Sequence, residues 1–135
     1  MFDEMGSFRV DLDIENPFRA GASVTLRSVL IDTGAELSWV PKDVLESLGV
    51  ERRRVARFRQ ADGSVVERPI GWVVIHLAGT NTVDDVVFGE PDDLVLLGSR
   101  SLEGLNLTID PVHKRLIDAG PAPAAAGAWS ALFPA

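Results

Sequence analysis

The chain has 135 residues, no cysteine, two histidines, and 20 acidic against 13 basic side chains, for a formal net charge of −7. That length closes one core and not two. Without thiols there are no disulfides, thiolate zinc sites or cysteine nucleophiles, and an acidic balance argues against a general nucleic-acid binder, whose footprint is basic. His76 and His113 lie far apart and in no ligand spacing, so no metal site is expected. The first seven residues carry acidic groups and no apolar leader core. No apolar run approaches the roughly 18 residues that span a bilayer. The expectation is a soluble, cytoplasmic chain with no membrane contact in the residues given.

In chain order, residues 8–14 alternate apolar and polar side chains as a half-buried strand does. Asn16-Pro17 and Gly21 mark a turn. Residues 24–26 lead into the apolar run Val29-Leu30-Ile31, which stops at Asp32-Thr33-Gly34. Residues 37–40 suit a short strand. Residues 41–48 suit a helix, with Pro41 in the first turn, Val44, Leu45 and Leu48 on one face, and Gly49 as the stop. Two long strands, 52–61 and 64–77, flank Asp62-Gly63, a hairpin signal that calls for positive φ. Pro69 places the returning strand at an edge or beside a bulge. Strands at 83–88, 94–97, 105–109 and 114–117 follow, with a short helix over 99–103 closed by Gly104. After residue 118 the sequence turns to Ala, Pro and Gly without periodicity. Residues 1–118 therefore read as one all-β domain, a closed barrel or sandwich with one or two short helices, and 119–135 as a flexible tail.

With cysteine absent and histidine isolated, catalytic chemistry narrows to carboxylates, hydroxyls and lysine. Asp32 stands out among the acids because it ends an apolar strand and precedes Thr33, Gly34 and Ala35. A carboxylate at the end of a buried strand is costly without partners. Asp-Thr-Gly alone is weak evidence: it arises by chance in about one chain of this length in thirty, and an ordinary Asx turn would account for it.

The wider pattern is more specific. Val29 to Ala35 resembles the active-site segment of retropepsin-like aspartic proteases, in which an apolar strand delivers D-T/S-G-A/S. Leu96, Leu97 and Gly98 resemble the family's second signature, a strand packed beside the catalytic loop and followed by a short helix. The closing strands are similar to those of bacterial and other cellular relatives, and the Asp62-Gly63 hairpin falls where the family carries its flap. The resemblance covers residues 7–118. Glu36 stands where retroviral enzymes commonly have aspartate, and Ser99 displaces the signature arginine to Arg100. These departures favour a cellular branch, and a Glu36–Arg100 ion pair is an open expectation.

What the resemblance implies is an aspartic endopeptidase and a closed acid-protease barrel. One Asp-Thr-Gly per chain implies a homodimer, with the two Asp32 carboxyl groups sharing a proton and a water and with no cofactor or metal. Thr33 would bond across the interface, Gly34 would approach substrate backbone, and Ala35 and Glu36 would border the cleft. Ala61, Asp62, Gly63 and Ser64 would cover an extended peptide. Trp39 and Trp72 could line side-chain pockets, with core packing as the first reading of each. Arg52, Arg53, Arg54, Arg57 and Arg59 are read as a solvated face, with a preference for acidic substrates as the sharper alternative. Two other readings stay open. One is a protease-like dimer that binds peptides or mediates assembly without cleaving. The other is an unrelated β-barrel binding module in which Asp32 only makes a turn.

Overall fold

The computed structural model describes residues 8–124. The leader reading and most of the expected tail lie outside the described residues, and residues 119–124 form no helix or strand. The elements run β1 (Phe8–Glu15), β2 (Ser23–Ile31), β3 (Ser38–Pro41), α1 (Lys42–Ser47), β4 (Arg54–Arg59), β5 (Val65–Leu77), β6 (Thr80–Gly89), β7 (Leu96–Leu97), α2 (Ser99–Gly104), β8 (Leu107–Asp110) and β9 (Arg115–Asp118). The chain is mostly β with two short helices, as its alternating sequence suggested. No helix among the described residues is long and apolar enough to cross a membrane.

Seven strands pair in the order β1-β2-β7-β3-β6-β5-β4, and β1 also pairs with β5 through Asp13–His76, Ile14–Ile75 and Glu15–Val74. The ladders therefore return to the strand they left. Six strands form a ring, β4 lies outside it along the first half of β5, and β8 with β9 makes a separate hairpin. The ring hides most strand edges, which would otherwise invite pairing with other chains.

Inside the ring, Ile14, Leu45, Val73, Ile75, Val86, Phe88 and Leu97 are at most 1% exposed. Each such side chain contributes about 1.5–3 kcal/mol by leaving water. A second, smaller cluster of Leu37, Ile70 and Val87 packs with Trp39, Ala56 and Phe58. Val86 and Val87, adjacent on β6, are both fully buried and belong to the two different clusters. Successive strand residues face opposite sides, so β6 is covered on both.

Two expectations need correction. The strand expected over 94–97 shrinks to Leu96–Leu97 because a turn precedes it: the Asp93 amide donates to the Glu90 carbonyl at 2.9 Å, and the Glu90 amide donates to Asp93 Oδ2 at 2.8 Å. Leu94 is left 65% exposed. Gly104 does not close α2 but lies within it, where a Cβ would collide with Thr82, and Leu105 caps the helix.

Arg68 on β5 forks onto Asp93, with Nε to Oδ2 at 2.7 Å and NH2 to Oδ1 at 3.1 Å, tying the base of the β4–β5 hairpin to this turn. The guanidinium holds the Asp93 carboxyl below the ordinary carboxylate range. A depressed carboxyl lends stability that is complete above its unfolded value, near 4, and is lost as pH falls through the lower folded value. Asp93→Asn should therefore lower stability at pH 7 by about 1–3 kcal/mol. The gap between parent and variant melts should narrow below pH ~4. Equal gaps at pH 7 and pH 2.5 would rule the charge linkage out.

Candidate active site

Strand β2 delivers Asp32, and the following loop is zipped to the segment after β7. The Asp32 amide donates to the Leu97 carbonyl at 2.9 Å. The Ala35 and Glu36 carbonyls accept from the amides of Ser99 (2.8 Å) and Arg100 (3.1 Å). Gly98 lies in this seam because nothing larger fits: a Cβ there would stand 2.7 Å from the Leu37 carbonyl carbon and oxygen and 2.8 Å from the Glu36 oxygen. All three are backbone atoms and cannot swing away. The segment from Leu97 to Arg100 is thus the surface on which the Asp32 loop rests.

The loop is also braced from below by buried side chains that sequence reasoning missed. The Gly98 amide donates to Ser38 Oγ at 3.0 Å, Ser38 Oγ meets Ser101 Oγ at 2.6 Å, and Ser101 Oγ donates to Asp84 Oδ2 at 2.8 Å. Ser38, Ser101 and Asp84 are all buried. Two serines 63 positions apart carry no local signal, and Asp84 beside Asp85 reads as surface acid.

Asp32 itself is half-buried, and its Oδ1 accepts from the Gly34 amide at 2.9 Å. That is the geometry of an Asx turn, so the turn and the candidate site coincide. Oδ2 has no hydrogen-bond partner among the described residues. Two cavities meet at Asp32. The larger, about 640 Å³, is bordered by Gly34, Ala35, Glu36, Leu37 and Arg100 on one side and by Arg54, Ala56, Phe58, Arg59 and Ala61 on the other. The smaller, about 340 Å³, runs past Leu94, Leu96 and the turn at Asp92 and Asp93. Trp39 and Phe58 stand between them in an edge-to-face contact at 5.0 Å, bordering both.

The structure brings together most of the residues singled out from sequence. Asp32, Gly34, Ala35, Glu36, Ala61 and Arg100 border the larger cavity, Leu96 the smaller, and Leu97 and Gly98 lie buried beneath the loop. Thr33 is exposed on the loop. Asp62, Gly63 and Ser64 are exposed at the hairpin tip, beyond the cavity walls. The turn there is not the two-residue type. The Gly63 amide donates to the Gln60 carbonyl, the Gln60 amide to the Ser64 carbonyl, and Gly63 takes φ +88°. This is a three-residue loop closed by a left-handed glycine. Asp62 Oδ1 accepts from the Ser64 amide and hydroxyl at 2.8 and 2.6 Å, and these bonds hold its carboxyl below the ordinary range.

Arg100 does not pair with Glu36. Its guanidinium reaches Asp84 at 3.5 Å and Asp85 at 3.6 Å, because α2 packs against β6 and directs the side chain there, while the Arg100 amide takes the Glu36 carbonyl. Trp39 does more than fill core, since it borders both cavities. Trp72 is 40% exposed and lies under the Arg53 guanidinium at 3.8 Å, away from Asp32.

No protein-family model matches the sequence, and no curated protein matches it. Among solved structures the chain is similar to the solution structure of Simian Foamy Virus (mac) protease, at TM-score 0.48 and 19% sequence identity, over 70% of this chain and 91% of that one.

Gly98→Ala tests the seam. The added methyl must push the Asp32 loop away from residues 97–100, at a cost of about 1–3 kcal/mol. Crosslinking or exchange of the Asp32, Ser99 and Arg100 amides should show faster opening of the loop than of β5. A variant with parental melting temperature and parental amide protection would show that the seam tolerates a side chain.

Proposed function

We propose that the chain is a retropepsin-like aspartic endopeptidase, active as a homodimer in which Asp32 of each copy meets at a two-fold axis. The observation that carries this reading is the placement of Asp32. Its carboxylate lies where two cavities join, on a loop pinned by Leu97, Ser99 and Arg100, with one oxygen engaged by Gly34 and the other without a protein partner among the described residues. Glu36 and Ser99, at the two departures from the retroviral pattern, support a cellular branch.

The chemistry follows from two carboxyl groups sharing one proton. One, ionised, takes a proton from water as it attacks the peptide carbonyl. The other donates its proton to the carbonyl oxygen, and the tetrahedral intermediate collapses with proton transfer to the leaving amine. One carboxyl cannot fill both roles at once, which is why the reading requires a second copy. The peptide would lie extended between the Asp32 loop and the β4–β5 hairpin, held by backbone hydrogen bonds. A non-catalytic peptide-binding role uses the same cleft and differs only in the absence of turnover.

Asp32→Asn should lower kcat by about 10²–10⁴-fold or more while the fold and melting temperature persist. Sedimentation across a concentration series should place the parental activity in the dimer. Turnover by a strictly monomeric protein, or full activity in the folded Asn variant, would overturn the assignment. Peptide binding without turnover in the parent would favour the second role.

The hairpin should act as a mobile cover, since β4 lies outside the closed ring and the tip is exposed. Gly63→Val places a β-branched residue at φ +88°, where no neighbour clashes but the backbone conformation is disfavoured. We expect kcat/KM to fall about tenfold, the equivalent of ~1.4 kcal/mol, with little change in global melting. Hydrogen exchange across residues 58–68 should slow when a transition-state-like inhibitor binds. Normal cleavage by the valine variant, with no added protection, would make the hairpin part of the scaffold.

A further inference from the structure

The five arginines of 52–59 do not share one environment. Arg52 pairs with Glu46 at 2.6 Å, Arg53 lies over Trp72, and Arg57 is exposed. Arg54 and Arg59 instead border the larger cavity beside Asp32, where Arg100 joins them from α2. Three arginine side chains thus border a cavity that Asp32 and Glu36 border as well.

Their commitments differ. Arg54 and Arg100 converge on Asp85 Oδ2 at 3.2 and 3.6 Å, through side chains 52% and 47% exposed. Such contacts hold a guanidinium in place without consuming its donors. Arg59 gives one N–H to the Gly63 carbonyl at 3.2 Å and has no carboxylate partner among the described residues. Behind this rim the floor is apolar, made by Leu37, Ile70, Ala56 and Phe58. An apolar floor with a guanidinium rim suits a side chain that has a methylene stem and a carboxylate end.

We propose that this cavity is a specificity subsite for a glutamate of the peptide ligand, with Arg59 as the principal anchor and Arg54 and Arg100 in support. The stem covers Ala56 and Phe58, which are only partly buried, and the carboxylate accepts from the rim. Cleavage at such a site rests on the endopeptidase reading; binding of the glutamate peptide does not. The preference has a pH signature of its own, because a free glutamate ionises near 4.3 and only the ionised form is attracted.

The test uses the full chain and a set of peptides identical but for Glu, Gln, Leu or Lys at each position around the scissile bond. At pH 6 and low salt, one position should favour Glu over Gln by about tenfold or more in kcat/KM. The ratio should approach one at pH 3.5 and shrink in 1 M salt. Arg59→Gln should remove most of the preference, and Arg54→Gln a smaller part. Equal cleavage of Glu and Gln peptides at every position at pH 6, or a preference that survives both substitutions, overturns the subsite. If no peptide is cleaved, the endopeptidase reading fails separately, and binding of the same peptides with a reduced scissile bond decides the subsite. Tighter binding of the Glu form, lost in Arg59→Gln, supports it, and equal affinities overturn it.

Discussion

The site depends on one seam, in which the loop from Asp32 to Leu37 lies against residues 97–100. A loop that leaves a buried strand carries amides and carbonyls that need partners. Here the first amides of α2, those of Ser99 and Arg100, have no partner inside their helix and are donated to the Ala35 and Glu36 carbonyls. The helix start has no side-chain cap, and the Asp32 loop does that work. The loop's shape and the helix's start are each satisfied by the other, and Gly98 allows the approach. Motion of either segment must disturb both.

The closed ring gives the seam a fixed base. β2, β7, β3 and β6 are successive neighbours in it, and the buried chain Asp84–Ser101–Ser38–Gly98 runs from β6 through α2 to β3 and back to the seam. Both oxygens of Asp84 are occupied, Oδ2 by Ser101 and Oδ1 by the Asp85 amide, with Arg100 Nε 3.5 Å away. A buried carboxylate is tolerable on those terms and expensive on any others. Removing one hydroxyl would leave its neighbours unpaired inside the protein, a penalty of about 1–3 kcal/mol. The polar chain thus restricts the register of β3, β6 and α2 beneath the loop, where an apolar contact would permit sliding.

What the sequence disclosed was what local patterns encode. Alternation in β1, the proline and glycine around α1, and the apolar run ending at Asp32 each mark an element through its nearest neighbours. The Asp32 segment and Leu96-Leu97-Gly98 were legible as a pair because each is a run with its own residue pattern. What stayed hidden were side-chain partnerships across long separations. Ser38 with Ser101, Arg68 with Asp93, and Arg100 with Asp84 are chosen by tertiary packing, and nothing near either partner announces the other. The Glu36–Arg100 expectation failed for that reason, since the direction of a side chain at the start of α2 follows from how the helix sits on β6. The arginine row looked uniform for the opposite reason. Five like residues in one stretch sort into four environments only once β4 is paired with β5 beside the cavity at Asp32.

A two-fold arrangement of this site has a consequence for recognition. Thr33 and Gly34 are exposed on the loop beside Asp32 and both are small, so a second copy could approach without a large side chain intervening. An exact two-fold axis between the Asp32 residues would repeat each cavity on the far side of the scissile bond. A peptide has direction, so its two halves present different side chains to equivalent walls. Selectivity would then arise from the better of two alignments, and a guanidinium-rimmed cavity on each side gives a single acidic side chain two places to dock. The cleavage point would be set by the distance from that anchor to the two Asp32 carboxyl groups once the hairpin has closed over the peptide.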